Sequence, residues 1–190
     1  AAPSSSANSP NETCTGSNGD YYTHPAFTFG NDNIRGFWIG KFELTGDSSK
    51  LTVLPNQSSF TSGTVNYLNT AIQNMQKSSN IYGLNTSRTN TDSHMITNME
   101  WGAVAYLTNS KYGRCTNGSC TEVTINNCSS YITGIGADSV SARDSSTTCT
   151  TAANKYNGAK GVLASTTGNI TGIYDMSGGN DEFVMGNMSD

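Results

Sequence analysis

The stretch TNMEWGAVAYLTNSKYG, residues 97–113, has the strongest structural signals in the sequence. Thr97 and Glu100 have the T-x-x-E spacing of a capping box, which predicts a helix that begins just after Thr97. Apolar side chains follow almost all round this helix, so we expect it to lie at the centre of the molecule. Gly113 is placed to end the helix as a left-handed cap. Gly102 is costly inside a helix, which suggests that another backbone passes close to it.

Two segments upstream also have the periodicity of regular structure. In GFWIGKFELTG (36–46), the side chains of Trp38, Phe42 and Leu44 alternate onto one face, which predicts a β-strand. In SGTVNYLNTAIQNMQ (62–76), apolar residues at helical spacing predict a second helix. Its apolar stripe consists of Val65, Leu68, Ile72 and Met75. We expect both helices to contribute to the core.

The remainder of the chain is largely polar. Residues 1–19 are rich in Pro, Ser, Asn and Gly and are predicted to be a flexible linker, which leaves 20–190 as a single domain. Within that domain, residues 114–168 form a long polar insertion without a strong helix or strand pattern. Residues 169–187 return to an extended, apolar pattern that a turn at 177–179 interrupts.

The cysteines indicate the cellular compartment. There are five: Cys14, Cys115, Cys120, Cys128 and Cys149. The last four have the spacing C-x4-C-x7-C-x20-C with no histidine nearby, which fits a zinc site poorly and two disulfides better. We favour Cys115–Cys120 and Cys128–Cys149, although the two other pairings and free thiols stay open. Disulfides are typical of exported proteins, so we expect an extracellular, cell-surface location.

Composition excludes several classes of partner. Charged residues make up 13% of the chain, against roughly 25% in an ordinary soluble domain, and the net charge is −4. The ten Lys and Arg residues are scattered, so the chain lacks the basic footprint that binds nucleic acid or an anionic membrane. No apolar run approaches the length of a membrane span, so no direct membrane insertion is expected.

No assembled catalytic site is visible. The sequence has no nucleophile elbow, phosphate-binding loop or zinc-binding H-E-x-x-H motif. Its two histidines, His24 and His94, have no metal-ligand spacing, and His94 is expected to be structural. The adjacent carboxylates Asp181 and Glu182 make a weak acid/base pair but could contribute oxygen ligands to a cation site.

Three segments in order resemble one known family, the formylglycine-generating enzymes (sulfatase-modifying factors). GFWIGKFELTG is similar to the family's opening strand, and residues 94–113 resemble its helix entry, with Trp101 and Tyr106 at matching places. GIYDMSGGNDEFVMGN (172–187) resembles the family's G-L-Y-D-M-x-G-N-x-W-E-W motif. The resemblance implies an α+β, C-type-lectin-like fold with two helices, short antiparallel strands and long loops.

The branch that this chain resembles most consists of surface proteins of gut bacteria. In that branch the domain follows a pilin-like anchor or is the variable target of a diversity-generating retroelement, and it binds ligands rather than catalysing a reaction. The resemblance therefore implies a non-enzymatic, adhesin-like domain that binds a host or microbial surface glycan or protein. The residues expected to contact the ligand are Asn180, Asp181, Phe183 and Asn187.

The chain departs from the family at the motif itself. The family's G-N-x-W-E-W becomes GGNDEF at residues 178–183, so Gly179 replaces the asparagine. Glu182 keeps the position of a calcium-binding glutamate, which makes calcium the one cofactor that the resemblance suggests. The family's catalytic cysteines lie beyond an Arg-Gly-Gly segment that this chain does not reach, and none of the five cysteines matches them. No residue is assigned a catalytic role.

Two alternatives to a binding domain stay open. The first is a structural pilin-like subunit that contacts other pilus subunits and is joined through the polar leader to an assembly helix. The second is a sulfatase-modifying type of oxidase whose catalytic part is missing from this chain, which would then be a truncated domain.

Overall fold

The computed structural model describes residues 14–16, 19–21, 24–29, 31–47, 49–77, 82, 92–137, 149 and 151–186. These residues form a mixed α+β structure with two helices and short antiparallel strands, as the sequence predicts. The helices are α1 (Val65–Asn74) and α2 (Asn98–Thr108). The strands pair as four antiparallel hairpins within the described residues: β1 (Cys14–Gly16) with β2 (Gly19–Tyr21), β3 (Thr28–Phe29) with β4 (Asp32–Asn33), β5 (Thr45–Asp47) with β6 (Lys50–Thr52), and β7 (Cys115–Thr116) with β8 (Ser119–Cys120). The first hairpin lies at the end of the predicted linker.

Helix α1 forms where its apolar spacing predicts it. The side chain of Thr64 accepts a hydrogen bond from the Tyr67 amide and caps the first turn. None of its residues is fully buried, and Val65 is exposed. The apolar stripe is therefore only half-covered, and the expectation that α1 contributes to the buried core is wrong.

Helix α2 begins as its capping box predicts but ends earlier than expected. Thr97 and Glu100 form both hydrogen bonds of the box. The last helical residue is Thr108, whose carbonyl accepts from the Arg114 amide at 2.8 Å as the chain folds back. Gly113 is therefore not the helix cap. It is a glycine because a Cβ there would lie 1.8 Å from the Leu107 carbonyl oxygen.

Two further expectations about α2 are corrected. Only Glu100 and Val104 of this helix are fully buried, and Tyr106 is 71% exposed, so α2 lies at the edge of the structure rather than at its centre. It packs on one side against the 3-10 turn Pro25–Phe27. A Cβ at Gly102 would meet no atom within 4 Å, so no backbone passes close to it.

The predicted strand 36–46 is regular only at its end, in β5. The Lys41 carbonyl accepts from the Tyr174 amide at 2.9 Å, and the Leu44 carbonyl accepts from the Phe60 amide at 2.7 Å. Because these partners belong to two separate loops, the segment does not become a ladder strand. Trp38 is fully exposed whereas Phe42 is buried, so the predicted common face of these two side chains is wrong.

The core lies where three distant segments meet. Phe42, Ala164 and Tyr174 form its buried cluster, with Tyr156 packed against them. The rings of Phe42 and Tyr174 are 5.1 Å apart, and those of Phe42 and Tyr156 are 5.5 Å apart. Tyr156 and Ala164 come from the polar insertion. The insertion therefore forms part of the core instead of looping away from it.

Both favoured disulfides form within the insertion. Cys115–Cys120 joins directly opposed residues of β7 and β8. Cys128–Cys149 closes a loop with a sequence separation of 21, and Cys128 is buried. Arg114, also buried, donates hydrogen bonds to the carbonyls of Thr121, Glu122 and Leu163. Covalent bonds and this guanidinium hold loops in which most of the buried residues are polar.

Candidate functional site

The segment 172–186 has no regular strand and forms the wall of a candidate site. Its turn at 177–179, predicted from the sequence, depends on Gly178 and Gly179, which have φ angles of 82° and 78°. Asn126 holds this turn through its backbone: its amide donates to Ser177 at 2.8 Å, and its carbonyl accepts from Gly179 at 2.7 Å. A Cβ at Gly178 would lie 2.3 Å from that carbonyl oxygen, so only glycine fits there.

The carboxyl group of Glu43 holds the other side of the turn. Its Oε1 accepts from the Asn180 amide at 2.9 Å, and its Oε2 accepts from the Ser59 hydroxyl. A Cβ at Gly179 would lie 2.2 Å from Glu43 Oε1. The carboxyl group can therefore approach the turn only because residue 179 has no side chain.

After the turn, the chain docks on the start of α2. The indole Nε1 of Trp101 donates to Glu182 Oε2 at 2.7 Å. Further on, the Met185 amide donates to the Ile96 carbonyl at 2.9 Å, and the Asn98 amide donates to the Met185 carbonyl at 3.0 Å. These contacts hold residues 182–185 against the start of α2.

A cavity of about 440 Å³ opens between this segment and α2. Its lining combines polar side chains with an indole and two apolar side chains. The lining residues are Asn98, Trp101, Asp175, Met176, Gly178, Gly179, Asn180, Asp181, Glu182 and Val184. The volume lies within the range of sites for small organic ligands, and the open, largely polar lining leaves room for part of a larger ligand.

Three carboxyl groups behind and beside this cavity have raised pKa values. Burial, together with the nearby carboxylates of Asp175 and Glu182, raises the pKa of Glu43 to about 8, although the hydrogen bond from Ser59 lowers it. Burial also raises the pKa of Asp175 to about 6, although Asn126 and the Gly134 amide donate hydrogen bonds to it. The pKa of Glu182 is raised by burial and lowered by its bond to Trp101.

The structure brings together part of the predicted ligand-binding set. Asn180 and Asp181 line the cavity, Asn180 half-buried and Asp181 exposed. Phe183 is 56% exposed and lies outside the lining. Asn187 lies outside the described residues. His94 is elsewhere, with its Nδ1 2.7 Å from Asp92 and its Nε2 3.1 Å from Glu100.

The described residues do not offer calcium a set of carboxylate ligands. Glu182, expected as a calcium ligand, lines the cavity, and its Oε2 accepts the Trp101 hydrogen bond. Over the part of the chain that the structure describes, no group of three or more His, Cys, Asp or Glu side chains could hold a metal ion. Glu182 is therefore a lining residue with a protein partner, and calcium has no assigned role.

Three residues of the site are not recognisable as such in the sequence. The pattern of α2 predicts Trp101 only as a core residue, and Glu43 is predicted only as part of the strand 36–46. Asp175 has no predicted role. The nearest sequence signal is the pair of adjacent glycines at 178–179, which indicates a turn but not the carboxyl group that fills the space beside it.

No family model, curated protein or solved structure matches this chain. Among the described residues, no helix is long and apolar enough to cross a membrane.

Proposed function

We propose that this chain is a non-enzymatic, extracellular ligand-binding domain displayed on a bacterial surface, with a C-type-lectin-like fold. The ligand, a surface glycan or protein, would enter the cavity between α2 and residues 178–184. The observation that carries this proposal is the cavity itself, about 440 Å³ in volume, with Asn180 and Asp181 at its rim and Trp101 on its wall. Short polar groups and one aromatic surface are the usual composition of an adaptable recognition site.

The environment of the carboxyl groups favours binding over catalysis. Perturbed carboxyl groups in a cleft are often catalytic, but here each one has hydrogen-bond partners within the protein. Glu43 accepts hydrogen bonds from Ser59 and Asn180, and Glu182 accepts one from Trp101. Asp175 accepts from Asn126 at 2.9 Å and from Gly134 at 2.9 Å. Since each group has a structural partner in the wall, we infer that they shape the cavity.

Disulfides support the extracellular location. Cys115–Cys120 and Cys128–Cys149 connect loops that bury mostly polar groups, and such bonds persist mainly in oxidising compartments. The low content of charged residues, 13%, is in keeping with a surface that makes contacts through hydroxyl and amide groups.

The test is a binding screen with rim variants. The purified domain is applied to immobilised mucins, host glycans and surface proteins, and the best binder is titrated against the double variant Asn180→Ala/Asp181→Ala. We expect the double variant to weaken binding at least about tenfold, because each side chain contacts the ligand at the mouth. Its thermal unfolding temperature should stay close to that of the wild type.

The matched control is Asn66→Ala/Asp32→Ala, which removes the same two side-chain types from exposed positions outside the cavity lining. This control should bind as the wild type does. Equal loss of binding in both double variants would place the ligand elsewhere and overturn the proposed site. If no member of the screen binds, the proposed function is overturned as well.

A further inference from the structure

A second cavity lies next to the first along α2. It has a volume of about 400 Å³ and is bounded by the C-terminal half of α2 and by residues 120–125. Met176 lines both cavities, Gly178 lines the first, and Ser177 lines the second. The two spaces are therefore neighbours on either side of one short piece of chain. A shared role for the two spaces rests on the proposed function of the first cavity.

One face of α2 forms the common wall. Asn98 and Trp101 line the first cavity, and Ala105 and Thr108 line the second. Their spacing of three, four and three residues places all four side chains on the same face of a helix. Ten residues separate Asn98 from Thr108, and at 1.5 Å per residue they span about 15 Å. The two cavities therefore lie one after the other along this face of α2, and we call the pair the groove.

The charges on the groove exclude acidic ligands. The charged residues that line it are all acidic: Asp175, Asp181 and Glu182 in the first cavity and Glu122 in the second. No lysine or arginine belongs to either lining. A ligand with repeated carboxylate or sulfate groups would be repelled along its length.

The other lining groups favour a ligand built from repeating units, each of which has both polar groups and an apolar surface. The second cavity has the hydroxyl groups of Thr108 and Thr121 beside the apolar side chains of Val123 and Ile125. The first has amide and carboxylate groups beside the indole of Trp101. Sugar rings present hydroxyl groups at their edges and C–H groups on their faces, which matches this alternation.

The walls suit a peptide less well. An extended peptide usually binds by adding a strand to an exposed sheet edge, and a helical peptide needs an apolar groove. Here the only strand residue in either lining is Cys120, and about half of the lining side chains are polar.

We propose that the groove binds a neutral oligosaccharide of several units, which lies along the Asn98–Thr108 face of α2 and crosses Met176 from one cavity to the other. A monosaccharide would occupy only the first cavity. A longer chain would also contact the second, so its affinity should increase with length.

The experiment compares chain lengths on the wild type and on two variants. The probes are neutral saccharides of one to six units, acidic saccharides of the same lengths, and extended peptides. Binding to all of them is first compared on one array, and the affinities of the binders are then measured by calorimetry. Asn109→Trp places an indole in the second cavity, which Asn109 lines. Asn66→Trp is the matched control, because Asn66 is exposed on α1 and lines neither cavity.

We expect the wild type to bind the longer neutral chains at least about tenfold more tightly than the monosaccharide, which corresponds to about 1.4 kcal/mol from contacts in the second cavity. Asn109→Trp should remove this gain and keep the affinity for the monosaccharide, and Asn66→Trp should keep both. The inference is overturned if affinity is independent of length, if Asn109→Trp keeps the gain, or if acidic chains or peptides bind instead.

Failure of this inference differs from failure of the proposed function. If a glycan or protein binds and the rim variant Asn180→Ala/Asp181→Ala weakens it without any dependence on chain length, the first cavity remains the site and binding along the groove is wrong. If neither the array nor the screen yields a binder, both proposals are overturned.

Discussion

At the scale of single residues, the candidate site depends on two groups that fit against each other. The carboxyl group of Glu43 accepts a hydrogen bond from the Asn180 amide, and Gly179 lies so close that a Cβ would be 2.2 Å from Glu43 Oε1. The turn therefore needs both a left-handed backbone and an empty position at residue 179. Alanine substitutions at two glycines test the backbone requirement and the space requirement separately.

Gly179→Ala should destabilise the domain more than Gly118→Ala. Both glycines have left-handed φ angles, 78° and 81°, but a Cβ at Gly118 would meet no atom within 4 Å. We expect Gly118→Ala to lower the free energy of unfolding by about 1 kcal/mol, the cost of the backbone conformation alone. Gly179→Ala should cost about 3 kcal/mol because a collision is added. Urea unfolding of the two variants measures the difference, and equal losses would contradict the predicted contact with Glu43.

Glu43 should also make stability depend on pH. Its pKa is about 8 in the folded protein and 4.5 without burial. Between these values the folded protein keeps a proton that the unfolded chain releases, so the free energy of unfolding should fall as pH rises across this window. Asp175, with a pKa raised from 3.8 to about 6, adds the same trend at lower pH. Glu43→Gln keeps an acceptor for the Asn180 amide but cannot ionise, so it should reduce the slope.

The measurement is urea unfolding at about pH 5 and about pH 9, chosen to bracket the titration of Glu43. The wild type should lose stability between the two values, and Glu43→Gln should lose clearly less. Asp32→Asn, at an exposed position, is the control and should behave as the wild type does. An unchanged slope in Glu43→Gln would show that this carboxyl group is not the titrating one.

At the scale of elements, α2 connects the fold to the groove. Its N-terminal capping box is complete, and its Asn98–Thr108 face lines both cavities. The helix is supported on few sides, since only Glu100 and Val104 are fully buried. Its stability should therefore respond strongly to changes in helix propensity.

Gly102→Ala should stabilise the domain. Alanine is favoured over glycine in a helix interior by about 1 kcal/mol, and a Cβ at this position would meet no atom within 4 Å. We expect a higher thermal unfolding temperature than that of the wild type. Gly113→Ala is the opposite case, because its Cβ would lie 1.8 Å from the Leu107 carbonyl oxygen. This variant should have a lower thermal unfolding temperature than the wild type. A loss of stability in Gly102→Ala would mean that a neighbour does pack against this position.

At the scale of the whole molecule, the two disulfides differ in what they constrain. Cys128–Cys149 closes a sequence separation of 21 and starts at a buried residue, whereas Cys115–Cys120 closes a separation of 5 within one hairpin. The longer loop restricts the unfolded chain more.

Cys128→Ser/Cys149→Ser should lower the free energy of unfolding by about 3 kcal/mol, and Cys115→Ser/Cys120→Ser should lower it by less. Urea unfolding under non-reducing conditions gives both values. Alkylation of the unfolded, unreduced protein followed by intact mass should first show no more than one free thiol among the five cysteines. Five free thiols would contradict both disulfides and the extracellular location inferred from them.

Features that depend on nearby residues were predictable from the sequence. The capping box of Thr97 and Glu100, the helix within 62–76 and the turn at 177–179 all form where local patterns predict them. Both favoured disulfide pairs also form, although the cysteine spacing had left the two other pairings open. Asn180 and Asp181 line the cavity, and their contact with a ligand stays a prediction that came from the family resemblance.

Only the tertiary structure decided the features that depend on distant partners. The residues 36–46 alternate as a strand does, yet loops near Phe60 and Tyr174 take their hydrogen bonds, so the segment is not a ladder strand. Glu43 and Asn180 lie 137 positions apart, and no local pattern connects them. The sequence by itself determined where α2 begins, that a helix lies within 62–76 and where the turn at 177–179 forms, because these features depend on short-range geometry. The groove along α2 forms only after long-range packing has brought its segments together. The same packing places the Glu43 carboxyl group behind it.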